Sequence, residues 1–242
     1  MTSAGLSIQG NLWLGPTSLV RDLDLRAPAG TWTCLLGGSG VGKSTLGRMV
    51  AGLPVAARLD GLIAADDGNP LQGRVTMLGQ QDQLLPWASA LANVTIGARL
   101  RGTRPDQTRA RALLAQVGLA GLEDRRPASL SGGQRQRVAL ARTLIEDRPI
   151  VVLDEPFTAL DAATRAAMQD LAAGLLAGRT VILITHDPLE AARLGHMAWH
   201  ITPQGSRSLV LPLGPVPRPL DDPAVLQAQA DLFSALSQPC AA

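Results

Sequence analysis

GGSGVGKST, residues 37–45, holds the only lysine of a 242-residue chain in which every other basic side chain is arginine. The stretch fits G-x-x-x-x-G-K-[ST], and the apolar run WTCLL stands directly before it. Leu46, Met49, Val50 and Leu53 then recur at helical spacing. This order predicts a buried strand, a glycine-rich turn and a helix. Gly38, Gly40 and Gly42 carry no Cβ, so successive backbone N–H groups can curl around an oxyanion. The start of the helix adds the positive end of its dipole. Lys43 supplies a compact ammonium, whereas an arginine fork is wide and planar. Ser44 supplies a hydroxyl of the kind that ligates Mg²⁺. With Gly37, Ser39, Val41 and Thr45, these residues are the candidate cradle for nucleotide phosphates. The bland alternative, a glycine-rich turn with a chance lysine, does not explain why arginine is avoided here alone.

Hydrophobic residues make up 46% of the chain and charged ones 17%, a globular balance. A chain of this length buries a full core. A net charge of +2 is too small to point to nucleic acid. Cys34 and Cys240 do not make a disulfide framework, and Cys34, inside WTCLL, is expected to be a buried small residue. This usage suits a reducing cytosol. The opening MTSAGLSIQGNLWL lacks the basic start and apolar stretch of a secretory leader. No run approaches the ~18 apolar residues of a spanning helix, so work at a membrane would need another chain to cross it.

Leu6, Ile8, Leu12 and Leu14 alternate as in a half-buried strand. VTML, IVVL and TVILI are further strand candidates, and short apolar strands between helical stretches indicate a parallel sheet covered on both faces. Residues 84–130, with RPDQTRARALLAQVGLAGL, carry no strand pattern and predict a helical subdomain. From Pro203 onward prolines crowd the chain. Asp222-Pro223 then has the form of an N-cap and first turn for a last helix ending near Leu236.

LSGGQRQRVALARTL, residues 130–144, is the most specific string in the sequence. Ser131, Gly132 and Gly133 again place a hydroxyl and unhindered N–H groups at a helix start, and Val138, Leu140, Ala141 and Leu144 give that helix a buried stripe. Together with residues 37–45, the string resembles the ATP-binding cassette (ABC) ATPase family, over about residues 6–201. The resemblance implies an α/β fold: a P-loop NTPase core with a mostly parallel sheet, an N-terminal antiparallel β part and a helical subdomain inserted at about 84–135. Residues 1–205 would form the ATPase domain and 206–242 a Pro-rich extension with a short helix.

IVVLDEPF ends a buried strand in two carboxylates. Asp154 is placed to hold Mg²⁺, directly or through water, and Glu155 to orient or deprotonate the attacking water. The resemblance assigns the remaining roles. Ser131, Gly132, Gly133 and Gln134 would cap the γ-phosphate of ATP held by the opposite subunit. Gln80, in MLGQQDQLLPW, would touch Mg²⁺ or water and join the core to the helical subdomain. Asp161, in TALD, would help link the two ATP sites, and His186, in ILITHD, would contact the γ-phosphate. Trp13 is the candidate for stacking on adenine, with core packing as its alternative. His196 and His200 are read as structural.

A single cassette without membrane spans implies the ATPase subunit of a transporter. Its cofactors would be ATP and Mg²⁺. It would pair with a second ABC ATPase subunit, expected to be another copy, and with permease subunits docked near the helical subdomain. A periplasmic or extracellular solute-binding protein would act indirectly, and no nucleic acid is expected. The chain would sit in the cytoplasm, peripheral on the inner face of the membrane. LLPW after Gln80 looks like the importer branch handling sulfonates, taurine, nitrate and thiamine pyrimidine precursors. The alternatives are an exporter-type or soluble non-transport ABC ATPase, and a catalytically silent binding module.

Overall fold

The N-terminal alternation builds an antiparallel sheet. In the computed structural model, which describes residues 3–237, β1 (Leu6–Leu14) lies between β2 (Thr17–Ala27) and β4 (Ala57–Ala65). Ile8 faces Leu25 on one side and Ile63 on the other. Leu6, Ile8 and Leu12 are buried as their spacing predicts, but Leu14 is 46% exposed. The pairing of β1 with β2 shifts on both sides of Leu12, and such an irregularity turns the side chains beyond it out of alternation.

The uninterrupted apolar runs build the second sheet. β3 (Trp32–Gly37), β6 (Ile150–Asp154), β7 (Thr180–Ile184) and β8 (Met197–Thr202) run parallel in the order β6-β7-β3-β8. β5 (Val75–Leu78) flanks β6, and β9 (Gly205–Leu209) closes the other edge antiparallel to β8. β6 and β7 are buried at every position, as expected for strands covered on both faces.

Helix α1 (Lys43–Val50) begins at the phosphate-loop lysine. Its Leu46 and Val50 share one apolar cluster with Ile8, Leu12 and Leu25 of the antiparallel sheet and with Val152, Ile182 and Ile184 of the parallel sheet. Burying such a side chain contributes about 1.5–3 kcal/mol, so α1 is held from both sides and Lys43 and Ser44 with it. Gly47 permits the close approach, because a Cβ there would lie 2.7 Å from Ile184 Cδ1 and 3.0 Å from Val152 Cγ1. After β7 come α7 (Pro188–Leu194) and, beyond β9, the proline-rich crossing to α8 (Pro223–Ser237), whose first turn is capped by Asp222 Oδ1 accepting from Ala224 N at 2.8 Å. These elements form one compact unit, residues 3–77, 149–155 and 177–237. Cys34 is fully buried, as expected, and Cys240 lies outside the described residues.

The second unit, residues 78–148 and 156–176, is helical. It contains α2 (Ala90–Val94), α3 (Ile96–Leu100), α4 (Gln107–Gln116), a 3-10 turn at Pro127–Ser129, α5 (Gly132–Ile145) and α6 (Ala162–Leu175). Leu91, Val94, Ala110, Leu114, Val138 and Ala141 form its buried faces. Asn93, fully buried, accepts from Leu85 N at 2.7 Å and donates to the carbonyls of Leu85, Ala88 and Ser89. One amide thereby fixes the LLPW segment and leaves Trp87 70% exposed. Among the described residues, no helix is long and apolar enough to cross a membrane.

The passage from β3 into the loop depends on Gly37, which pairs with Ile201 and has φ 148°. A Cβ at Gly37 would collide with the Ile201 carbonyl oxygen, a backbone atom with no rotamer to relieve it. Gly37→Ala is expected to cost about 2–4 kcal/mol in urea unfolding. Wild-type stability would mean that the strand reaches the loop without this close approach.

Candidate active site

The loop between β3 and α1 is built around Lys43. Gly42, at φ 108°, turns the chain into α1. The lysine side chain folds back so that Nζ donates to Gly37 O and Gly38 O, each at 2.9 Å, and the residue is only 7% exposed. Burial lowers its pKa, while the carboxylates of Glu155 and Asp154 act in the opposite direction. An ammonium has three donors. Two are in use here, and the third is available for a phosphate oxygen without dismantling the loop.

β6 ends in Asp154, 3% exposed, whose Oδ1 accepts from Ser44 Oγ at 2.8 Å. Burial raises the pKa of its carboxyl, the Ser44 bond works against that, and neighbouring Glu155 pushes it further up. Glu155 leaves the strand at φ 47°, with its N–H donating to Ile184 O at 2.9 Å. A left-handed non-glycine residue stores strain, and this one turns the Glu155 carboxylate toward the end of β7. There Glu155 Oε1 lies 3.2 Å from Nδ1 of His186, an exposed side chain just past β7. Lys43, Ser44, Asp154, Glu155 and His186 thus meet at the carboxyl ends of adjacent parallel strands, the usual ligand edge of an open α/β sheet.

Beside the loop lies a hollow of about 460 Å³, lined by Ser18 and Leu19, by residues 38–41, and by residues 200–204 with Leu236. Ser18, which no sequence pattern marks, is the cross-strand partner of Trp13. Trp13 itself is not on that wall. Its ring carries the Arg58 guanidinium 5.6 Å from the centroid, and its Nε1 is buried without a hydrogen-bond partner. A base stacked on Trp13 would take the opposite face or displace Arg58. His196 and His200 are used internally: His196 Nδ1 accepts from Trp32 N at 3.1 Å, and His200 Nδ1 accepts from Arg207 Nε at 3.2 Å. Burial lowers the pKa of both.

The second unit holds the other candidates. Ser131 is the N-cap of α5: its Oγ accepts from Gln134 N at 3.2 Å, and Gln134 Oε1 accepts from Ser131 N at 2.9 Å. This capping box occupies an oxygen lone pair and leaves the Ser131 O–H proton free to donate. Gly132 and Gly133 present N–H groups in the same first turn. Asp161 caps α6 by accepting from Thr164 N at 3.0 Å, the bond that mainly lowers its carboxyl pKa. Gln80 is exposed, two residues past β5.

Sequence reading missed the clasp beside Gln80. Arg135 Nε donates to Asp82 Oδ2 at 3.0 Å and its Nη1 to Leu130 O at 2.9 Å, while Arg142 donates to Gln83 O at 2.8 Å and Asp82 O at 2.6 Å. The seven-residue spacing of the two arginines, one face of a helix, was the available signal.

Among known proteins, the ABC transporter family profile matches residues 20–158, more than half of the chain. The chain belongs to the ABC transporter family. It is 48% identical over 204 residues to aliphatic sulfonates import ATP-binding protein SsuB 2 of Agrobacterium fabrum, covering 80% of this chain and 76% of the relative. It is 46% identical over 199 residues to SsuB 1 of Rhodococcus jostii, covering 81% and 78%. A dimeric ATP-binding cassette in a post-hydrolysis state with ADP and phosphate superposes with a TM-score of 0.72 at 27% identity, over 86% of this chain and all of that one. As an ABC subunit the protein binds and hydrolyses ATP.

Lys43→Arg tests the cradle. The charge survives, but a planar fork cannot fit between two carbonyls in a site this closed. ATP affinity by calorimetry is expected to fall at least tenfold; unchanged affinity would show that the loop needs only a positive charge.

Proposed function

We propose that this chain is the energising subunit of an importer of small oxyanionic solutes, with alkanesulfonates foremost. Two copies would close on two ATP molecules and drive membrane-spanning permease subunits from the cytoplasmic face. The observation carrying the catalytic part is the convergence of Lys43, Ser44, Asp154, Glu155 and His186 at one edge of the parallel sheet. Support for the cargo is the naming of the relatives as aliphatic sulfonate import proteins. Exposed Trp87, on its Asn93-pinned segment, is the proposed permease contact.

Ser44 and Asp154 fit a Mg²⁺ site. Both offer hard oxygen donors, they already lie 2.8 Å apart, and Mg²⁺ commonly takes one or two carboxylates plus substrate phosphates rather than an all-protein cage. When bound, Mg²⁺ would neutralise charge on the β- and γ-phosphates. Gln80 would join this set through water.

Lys43 holds the β- and γ-phosphates. Glu155 accepts a proton from the attacking water, so ATP and water give ADP, phosphate and a proton. His186, whose Nδ1 lies 3.2 Å from Glu155 Oε1, turns its other ring nitrogen to the γ-phosphate. Ser131 O–H and the N–H groups of Gly132 and Gly133 close on the γ-phosphate bound by the other copy, with Gln134 holding the cap and Asp161 at the start of α6 linking the sites. Trp13 stacks on the base.

Glu155→Gln is expected to keep ATP affinity within about twofold and to lose 10²–10⁴ of turnover, the usual worth of a general base. Alkanesulfonate uptake by cells carrying the chain with its own permease should disappear with it. Normal turnover would remove Glu155 from its role, and energised uptake of a different solute would reassign the cargo.

A further inference from the structure

Helix α7 starts two residues after His186 and is finished by a residue far along the chain. Its last carbonyls have no intrahelical partners. Gly195 could have supplied a left-handed cap, but it stands at φ −81° and only its N–H bonds back, to Ala191 O. Arg218, from the proline-rich crossing between β9 and α8, takes three more carbonyls at this end. Its Nη1 donates to Ala192 O at 2.8 Å and Gly195 O at 2.9 Å, and its backbone N–H donates to Arg193 O at 3.0 Å. Arg193 Nε returns a bond to Arg218 O at 3.0 Å, and Arg218 Nη2 also donates to the Pro212 carbonyl. Arg218 is 4% exposed and Arg193 also 4%. Burying two guanidinium groups to stop a seven-residue helix is expensive when a glycine already stands at its end.

The opposite end of α7 explains what such a clamp would do. Thr185 Oγ1 donates to Glu190 Oε2 at 2.6 Å, and Glu190, in the first turn of α7, is 3% exposed. The same Thr185 oxygen accepts from Asp187 N at 3.0 Å, and Asp187 Oδ1 accepts from Leu189 N at 2.9 Å. The residues on both sides of His186 are therefore bonded to each other, and Thr185 is bonded to a side chain of α7. Seven residues span only about 10 Å, so a shift of α7 at its Arg218 end reaches the His186 turn.

We propose that Arg218 is a positioning residue for His186: it clamps the far end of α7 and so holds the histidine turn in register with Glu155. The proposal rests on the catalytic reading of His186 above. The Arg218 clamp then serves turnover, while nucleotide affinity is set by the Lys43 loop, with which Arg218 makes none of these bonds.

ATP turnover by the full chain is measured for Arg218→Met, His186→Ala and the double variant. Arg218→Met is expected to lower kcat at least tenfold with KM for ATP within twofold. Added to His186→Ala, it should cause no further loss, because it acts through that side chain. Wild-type kcat in Arg218→Met, or a loss that multiplies with that of His186→Ala, would overturn the proposal. Full turnover in His186→Ala would overturn the catalytic reading itself and the clamp along with it. If Arg218→Met does not fold, Arg218→Lys, which keeps the charge but cannot reach all three carbonyls, takes its place in the same comparison: a loss of kcat at constant KM supports the clamp and wild-type kcat overturns it.

Discussion

Lys43 places an ammonium at 7% exposure against the carbonyls of Gly37 and Gly38. A cation so far from water is unfavourable unless its donors are satisfied, and backbone dipoles satisfy them only while the loop keeps one shape. That requirement reaches outward. Gly37 must come close to Ile201, α1 must be held between two sheets, and Asp154 and Glu155 must end their strand near enough to stabilise the charge. A triphosphate would meet all the same demands more strongly than carbonyls do, which gives the site its preference for an occupant.

The acidic side of the site has its own tension. Asp154 is buried beside a second carboxylate, an arrangement that favours protonation, and only Ser44, Lys43 and Arg48 oppose it. Glu155 is held in a left-handed conformation that glycine would adopt more readily. In the helical unit, the capping box at Ser131 shows how one hydroxyl can finish a helix and still keep a proton to donate.

The local motifs were legible because their chemistry needs fixed residue types at fixed spacing. The phosphate loop, the strand runs around it, the α5 cap and the last helix beginning at Asp222-Pro223 could all be read directly. Leu14 could not, since the irregularity beside Leu12 depends on how β2 pairs across from it. Gly61 of β4 lies opposite Gly10, where neither residue could carry a Cβ, and only the paired strands show why. Ser18, the Arg135–Asp82 bond and the Arg218 clamp join residues 5 to 53 positions apart; the spacing of Arg135 and Arg142 marks a helix face, but no periodicity names the partners such residues find.

The lone lysine also provides the most direct measurement. Chain labelled with ¹⁵N-lysine carries a single side-chain ammonium signal, that of Lys43. ATP should shift and sharpen this signal as phosphate oxygens join the two carbonyls, whereas AMP, without β- and γ-phosphates, should leave it in place. A signal unmoved by saturating ATP, or moved equally by AMP, would contradict the account.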